Sequence, residues 1–193
     1  MTKIINIFII IFLFLTNNSI SKEIVPIIEG DINAKIKIVV YESMTCGHCA
    51  DFHKNVYPNL KEEFIKKGLV KIEFRNFPLD LAALNASKLA HCKNDGKSET
   101  LHVLYNNQHN WIKGNNILEI NNNLEELIKE KNININFDEC LNNKTLENFI
   151  LEERIKGHKE FDIQSTPTLI INDKKFEKTI NYKNLKKILK KMI

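Results

Sequence analysis

Cys46 and Cys49 stand three positions apart in Thr45-Cys46-Gly47-His48-Cys49, with a histidine between them. The stretch lies where a strand-like run, Ile36-Lys37-Ile38-Val39-Val40-Tyr41, gives way to a helix-like one. Two thiols at this spacing can close a disulfide and give it up again by exchange. In the first turn of a helix, Cys46 meets the partial positive charge and free N–H groups of the helix N-terminus. Both favour the thiolate, which is the nucleophilic form. Each pKa unit of lowering is about 1.4 kcal/mol of differential stabilisation. A cationic or N–H-donating His48 adds to it. Cys49, one turn along, is placed to attack a mixed disulfide formed at Cys46. A zinc half-site begins the same way, but a structural zinc needs four ligands. The sequence has no second Cys-x-x-Cys and no His-x-x-x-His, and Cys92 and Cys140 are isolated from each other. His53, four residues after Cys49, reads as a surface or half-buried helix residue.

The elements that must hold this pair fit one domain. The chain has 193 residues, 43% of them hydrophobic and 27% charged, an ordinary globular composition with enough length for a core. A formal charge of +4, with the lysines dispersed, gives no argument for nucleic acid as a partner.

Residues 1–21 read as a signal peptide. Lys3 precedes the apolar run Ile7–Leu15, polar residues follow, and small Ser19 and Ser21 suit a cut before Lys22. The run is short for a bilayer span, which takes about 20 residues, so an uncleaved anchor is the lesser reading. No Cys lies there, so lipoprotein processing is excluded. Export puts all four cysteines where disulfides persist. Four cysteines allow three pairings. Spacing favours Cys46–Cys49, which leaves Cys92–Cys140; two unpaired buried thiols are the alternative.

Residues 22–35 read as an entry segment broken by Pro26 and Glu29-Gly30-Asp31. A central strand is expected at about 36–42, and a helix from Cys46 to about Lys67, kinked at Pro58 and stopped by Gly68. Leu69–Phe77 alternates as a strand does. Parallel pairing of these strands across the helix makes a right-handed βαβ unit. Residues 79 to about 161 read as helices. Ala82, Ala86, Leu89 and Ala90 share one face. Ser98 is a candidate N-cap. Leu101, Leu104, Tyr105, Gln108, Trp111 and Ile112 form a stripe, which reads as core. Thr168–Ile171 then forms a strand, Asn172-Asp173-Lys174 turns into Lys175–Glu177, and a basic helix closes the chain.

Pro167, in Ser165-Thr166-Pro167-Thr168, cannot donate to a sheet ladder and belongs at a strand start or edge. Taken alone it is an ordinary trans proline. Together with Val40–Cys49, Phe74-Arg75-Asn76-Phe77-Pro78-Leu79, Ala90-His91-Cys92, Phe137–Leu141 and Phe161–Thr168, it gives the chain another reading. The sequence resembles the DsbA family of thiol:disulfide oxidoreductases, above all those of alphaproteobacteria. The resemblance implies an α/β thioredoxin fold, with a core of 22–78 and 162–193 and an inserted helical subdomain at 79–161. It implies a periplasmic enzyme that donates disulfides to reduced exported proteins, with no cofactor beyond the Cys46–Cys49 pair. A DsbB-like membrane oxidase would reoxidise it, and it would act as a monomer. By the same resemblance Cys46 is the nucleophile, Cys49 its buried partner and His48 the stabiliser of the thiolate. Thr166 and a cis Pro167 shape the substrate groove, and Cys92–Cys140 matches an extra structural disulfide.

Two positions depart from the family's pattern. Gly47 stands where many members have proline, giving the Cys-Gly-His-Cys of protein disulfide isomerases. Val40 stands where many relatives have an acid; Glu42, on the same side of the strand, is a substitute proton handler or, in the plainer reading, a solvent-facing strand end. Isomerase or reductase activity is the alternative function. A metal-binding or chaperone module is a more distant one.

Overall fold

The computed structural model describes residues 23–193; the expected signal segment lies outside them. The chain runs β1 (Ile27–Glu29), β2 (Ile36–Glu42), α1 (Gly47–Asn55), α2 (Tyr57–Leu60), a π-helical turn (Lys61–Ile65) and β3 (Val70–Asn76). Six helices follow: α3 (Leu81–His91), α4 (Glu99–Asn106), α5 (Gln108–Trp111), α6 (Ile117–Glu130), α7 (Phe137–Asn142) and α8 (Lys144–Phe161). Then come β4 (Thr168–Ile171), β5 (Lys174–Lys175) and α9 (Tyr182–Leu189). The strands form one sheet in the order β1-β3-β2-β4-β5.

β2 is the centre of that sheet. Six of its seven residues are buried, as a strand covered on both faces requires. It pairs parallel with β3, Val40 opposite Phe74, and antiparallel with β4, Val40 opposite Leu169. Its alternate side chains enter two cores. Ile38 and Val40 join the large cluster that includes Phe52 of α1, Ala86 of α3, Leu104 of α4 and Leu127 of α6. Val39 and Tyr41 face the other way, onto Phe77, Ile163 and Ile170. On that side α8 lies close to the sheet at Gly157, where a Cβ would stand 2.5 Å from the Tyr41 ring.

Three local expectations are corrected. Residues 22–35 are more than an entry segment, because Ile27–Glu29 pairs antiparallel with β3 as an edge strand. The helix expected from 46 to 67 is three pieces. It breaks at Val56, and Pro58 falls in the first turn of α2, where its missing N–H costs nothing. The stripe from Leu101 to Ile112 is divided between α4 and α5 at Asn107 (φ −112°, ψ 13°). Ser98 does occupy the N-cap of α4, but its side chain makes no capping bond; its hydroxyl donates to Glu29 Oε1 instead. The hairpin forms where expected, with Asn172 and Asp173 both at positive φ, 43° and 63°, but Lys174 already belongs to β5, and Phe176 and Glu177 lie beyond that strand.

Among the described residues no helix is long and apolar enough to cross a membrane.

Candidate active site

Cys46 is the N-cap of α1, in extended conformation (φ −78°, ψ 119°). Its carbonyl accepts from the Cys49 and Ala50 N–H groups, and its own N–H donates to the Ser43 carbonyl at 3.0 Å. No acidic residue lies in the first turn of α1 to oppose a negative charge there. Cys46 is half-buried and Cys49 fully buried, and both are free thiols. The Thr166–Pro167 peptide is cis. The strand-start loop it belongs to comes from 120 residues away and sets the Thr166 carbonyl oxygen 3.2 Å from Cys46 Sγ.

The two sulfurs have opposite acidities. Cys46 is lowered to about 5, first by a hydrogen bond from the Cys49 thiol, against the cost of burial, and further by the Thr166 side chain and the Cys49 and His48 backbone N–H groups. Cys49 is raised strongly, by burial first, then by its neighbour Cys46 and the charge of Glu42. A thiol lowered in this way can act as a thiolate nucleophile, whereas one raised by burial holds its proton.

His48 acts on Cys46 through its main chain. Its ring is exposed and makes no hydrogen bond among the described residues. The ring instead lines an open cleft of about 590 Å³ with Asp51, Thr166, Pro167, Ile180 and Tyr182. Gly47 is exposed, with nothing within 4 Å of the place a Cβ would take. Cys92 and Cys140 are joined by a disulfide that ties the end of α3 to α7, apart from the cleft.

Several residues escaped the sequence reading. Gln108 Nε2 donates to the carbonyls of Met44 (2.8 Å) and Cys46 (3.0 Å), fastening the loop before α1 to α5. A glutamine within an apolar stripe was the available signal. Thr45 Oγ1 donates to Asp80 Oδ2 at 2.7 Å, while Asp80 caps α3 through the Ala83 N–H. Glu42 and His53 are both corrected. Neither is at the surface: each is 3% exposed, and Glu42 Oε2 lies 2.8 Å from His53 Nε2. The Tyr105 ring stacks on His53 with centroids 4.0 Å apart. Among the described residues no group of three or more His, Cys, Asp or Glu side chains is arranged to hold a metal ion.

Residues 22–191 match the family described as Thioredoxin. A Rickettsia conorii protein, provisionally named a protein-disulfide oxidoreductase, is 28% identical over 147 residues, covering 74% of this chain and 52% of that protein. A Rickettsia bellii protein so named is 34% identical over 93 residues, 47% of this chain and 36% of that one. The chain thus spans about half or less of the length of these curated relatives. Among solved structures, alpha-DsbA1 of Wolbachia pipientis superposes with a TM-score of 0.77 at 27% identity, covering 86% of this chain and 89% of that one. BdbD of Bacillus subtilis shares the fold with a TM-score of 0.71 at 22% identity, covering 86% and 91%. With its βαβ unit, helical insertion and Cys-x-x-Cys at the start of α1, the chain belongs to the thioredoxin family and is of the DsbA type.

Proposed function

We propose that this chain is a thiol:disulfide oxidoreductase that donates the Cys46–Cys49 disulfide to reduced proteins exported to the periplasm. The observation that carries the reading is the acidity difference between the two sulfurs, one lowered to about 5 at a helix start and the other raised by burial. In exchange, a substrate thiolate attacks the half-buried Cys46 sulfur, and Cys49 leaves. The substrate's second thiol then displaces Cys46, which departs as a stable thiolate. A leaving group of low pKa speeds that last step and pulls the equilibrium toward the oxidised substrate.

His48 and Gly47 set the backbone of the first turn, with the His48 ring at the mouth of the cleft. Thr166 and Pro167 form the opposite wall, where an extended substrate segment can pair with exposed main chain. Cys92–Cys140 braces the helices of residues 79–161, which are an insertion into a core of 22–78 and 162–193. The apolar run Ile7–Leu15 supports export. A DsbB-like membrane oxidase would restore the disulfide, the protein acting as a monomer.

The test is to mix the oxidised chain with a reduced, unfolded two-cysteine substrate. Rapid oxidation, lost in Cys46→Ala, supports the reading. A reduction potential near the −270 mV typical of thioredoxin would instead favour a reductase. Exchange no faster than with a small-molecule disulfide would exclude both.

A further inference from the structure

Beneath Cys49, four side chains that take no part in thiol exchange form a continuous hydrogen-bonded row. Glu42 Oε2 lies 2.8 Å from His53 Nε2, His53 Nδ1 lies 3.3 Å from His102 Nδ1, and His102 Nε2 lies 2.7 Å from Glu29 Oε1. The four come from β2, α1, α4 and β1. Each imidazole engages both of its ring nitrogens. The inner end is sealed, with Glu42 and His53 each 3% exposed. The outer end meets solvent: the His102 and Glu29 side chains are 18% and 13% exposed, and Lys61, at 36%, reaches Glu29 Oε2 at 3.0 Å. The other oxygen of Glu42, Oε1, is buried without a partner, and the charge of Glu42 is felt at Cys49.

An imidazole accepts a proton on one nitrogen and gives one from the other. Two imidazoles in contact through Nδ1, each with a carboxylate at its Nε2, form a path along which a proton can pass. The surrounding groups do not compete for it. Tyr105, stacked on His53, is raised by burial and by Glu42 and the two cysteines. Tyr57 is raised by burial and by Glu29, to which its hydroxyl donates at 2.5 Å. Glu29 is held ionised, its burial outweighed by hydrogen bonds from His102, Ser98, Tyr57 and Lys61.

We infer that the His53–His102 pair conducts protons between Glu42, under Cys49, and solvent at Glu29. The inference rests on the exchange reading of Cys46 and Cys49. When a substrate dithiol is oxidised, its two S–H protons are released and the Cys46–Cys49 bond is reduced. Cys46 ends as a thiolate and Cys49 as a thiol, so one proton must reach the buried sulfur and one stays in solvent. The proton crosses from His102 Nδ1 to His53 Nδ1, leaves His53 Nε2 for Glu42, and passes from the unpartnered Oε1 of Glu42 through one bridging water to Cys49 Sγ. Solvent then replenishes the row at the His102–Glu29 end. Reoxidation runs the path outward.

The experiment compares the full chain with His102→Ala in stopped-flow oxidation of a reduced two-cysteine peptide, from pH 5 to 9 and with added imidazole. His102→Ala should slow reduction of the enzyme disulfide about tenfold or more, as removal of a positioned proton carrier does. Free imidazole, entering the space left at this partly exposed position, should restore much of the rate. The alkylation rate of Cys46 in the reduced protein should not change. A wild-type rate across the pH range, or a slowing that imidazole does not relieve, overturns the relay. If His102→Ala does not fold, His102→Gln, which fills the space but passes no proton, should show the same slowing with no relief by imidazole, and a wild-type rate in it overturns the relay. A wild-type chain inert toward the peptide would overturn the exchange reading itself; inertness confined to the variants would not.

Discussion

The pH dependence of the reduction potential puts the acidity of Cys46 to a direct test. A thiol whose pKa falls on folding, here from near 8.5 to about 5, stabilises the folded reduced protein. That stability is complete above the unfolded value and is lost as pH falls through about 5. At pH 7 the gap is about 2 units, or about 2.7 kcal/mol, which screening at a half-exposed sulfur trims to roughly 1–2 kcal/mol. The disulfide form has no thiolate and gains none of it. Reduction therefore stabilises the fold, making the pair more oxidising by about 20–45 mV than one with ordinary thiols. The same acidity fixes the slope. Below pH 5 reduction takes up two protons with two electrons, so the potential falls by about 59 mV per pH unit. Above it only Cys49 binds a proton, and the slope halves to about 30 mV. Equilibration with glutathione from pH 4 to 9, read by thiol trapping, gives the curve directly. A single two-proton slope carried through neutral pH would refute the reasoning.

Thr166→Val removes a hydroxyl that helps lower the Cys46 pKa. Its alkylation midpoint should rise by up to about one unit, and stability should stay nearly unchanged because the buried hydroxyl has no partner in the thiol form. Gln108→Leu removes the amide bonds to both the Met44 and the Cys46 carbonyls, of which that of Cys46 keeps the Cys49 and Ala50 N–H groups. It should lower unfolding free energy by about 1–3 kcal/mol in denaturant titration and slow substrate oxidation. The double variant Cys92→Ala/Cys140→Ala opens a 48-residue separation. It should cost up to about 4 kcal/mol of stability and leave the Cys46 midpoint in place.

The fold was legible in the sequence wherever a local pattern is sufficient. Continuous burial marked β2, alternation marked β3, and Asn172-Asp173 marked the hairpin. The edge strand Ile27–Glu29 was not legible, since three residues carry no period and only pairing with β3 defines them. Pro58 was read as a kink in one helix. The chain breaks there instead, because a proline in a first turn lets the helix begin afresh. At the site, the two cysteines and Thr166-Pro167 were readable as motifs. Glu42 and His53 were misread for one physical reason: an acid and a histidine look solvent-seeking singly, and only their mutual bond across β2 and α1 makes burial tolerable.

That bond also explains why the helices of 79–161 belong to the chemistry and do more than cover a core. The thioredoxin-type elements alone supply Cys46, Cys49 and the Thr166 loop. Cys49, whose burial raises its pKa, lies in one apolar cluster with Leu104 and Tyr105 from α4, while Gln108 from α5 holds the carbonyl of Cys46. His102, on the same α4, bridges the Glu42–His53 pair to the partly exposed Glu29. A buried sulfur that must gain and lose a proton faces a conflict: the burial that makes it wait also cuts it off from water. One short helix meets both demands, with Tyr105 on the side that excludes solvent and His102 on the side that reaches it.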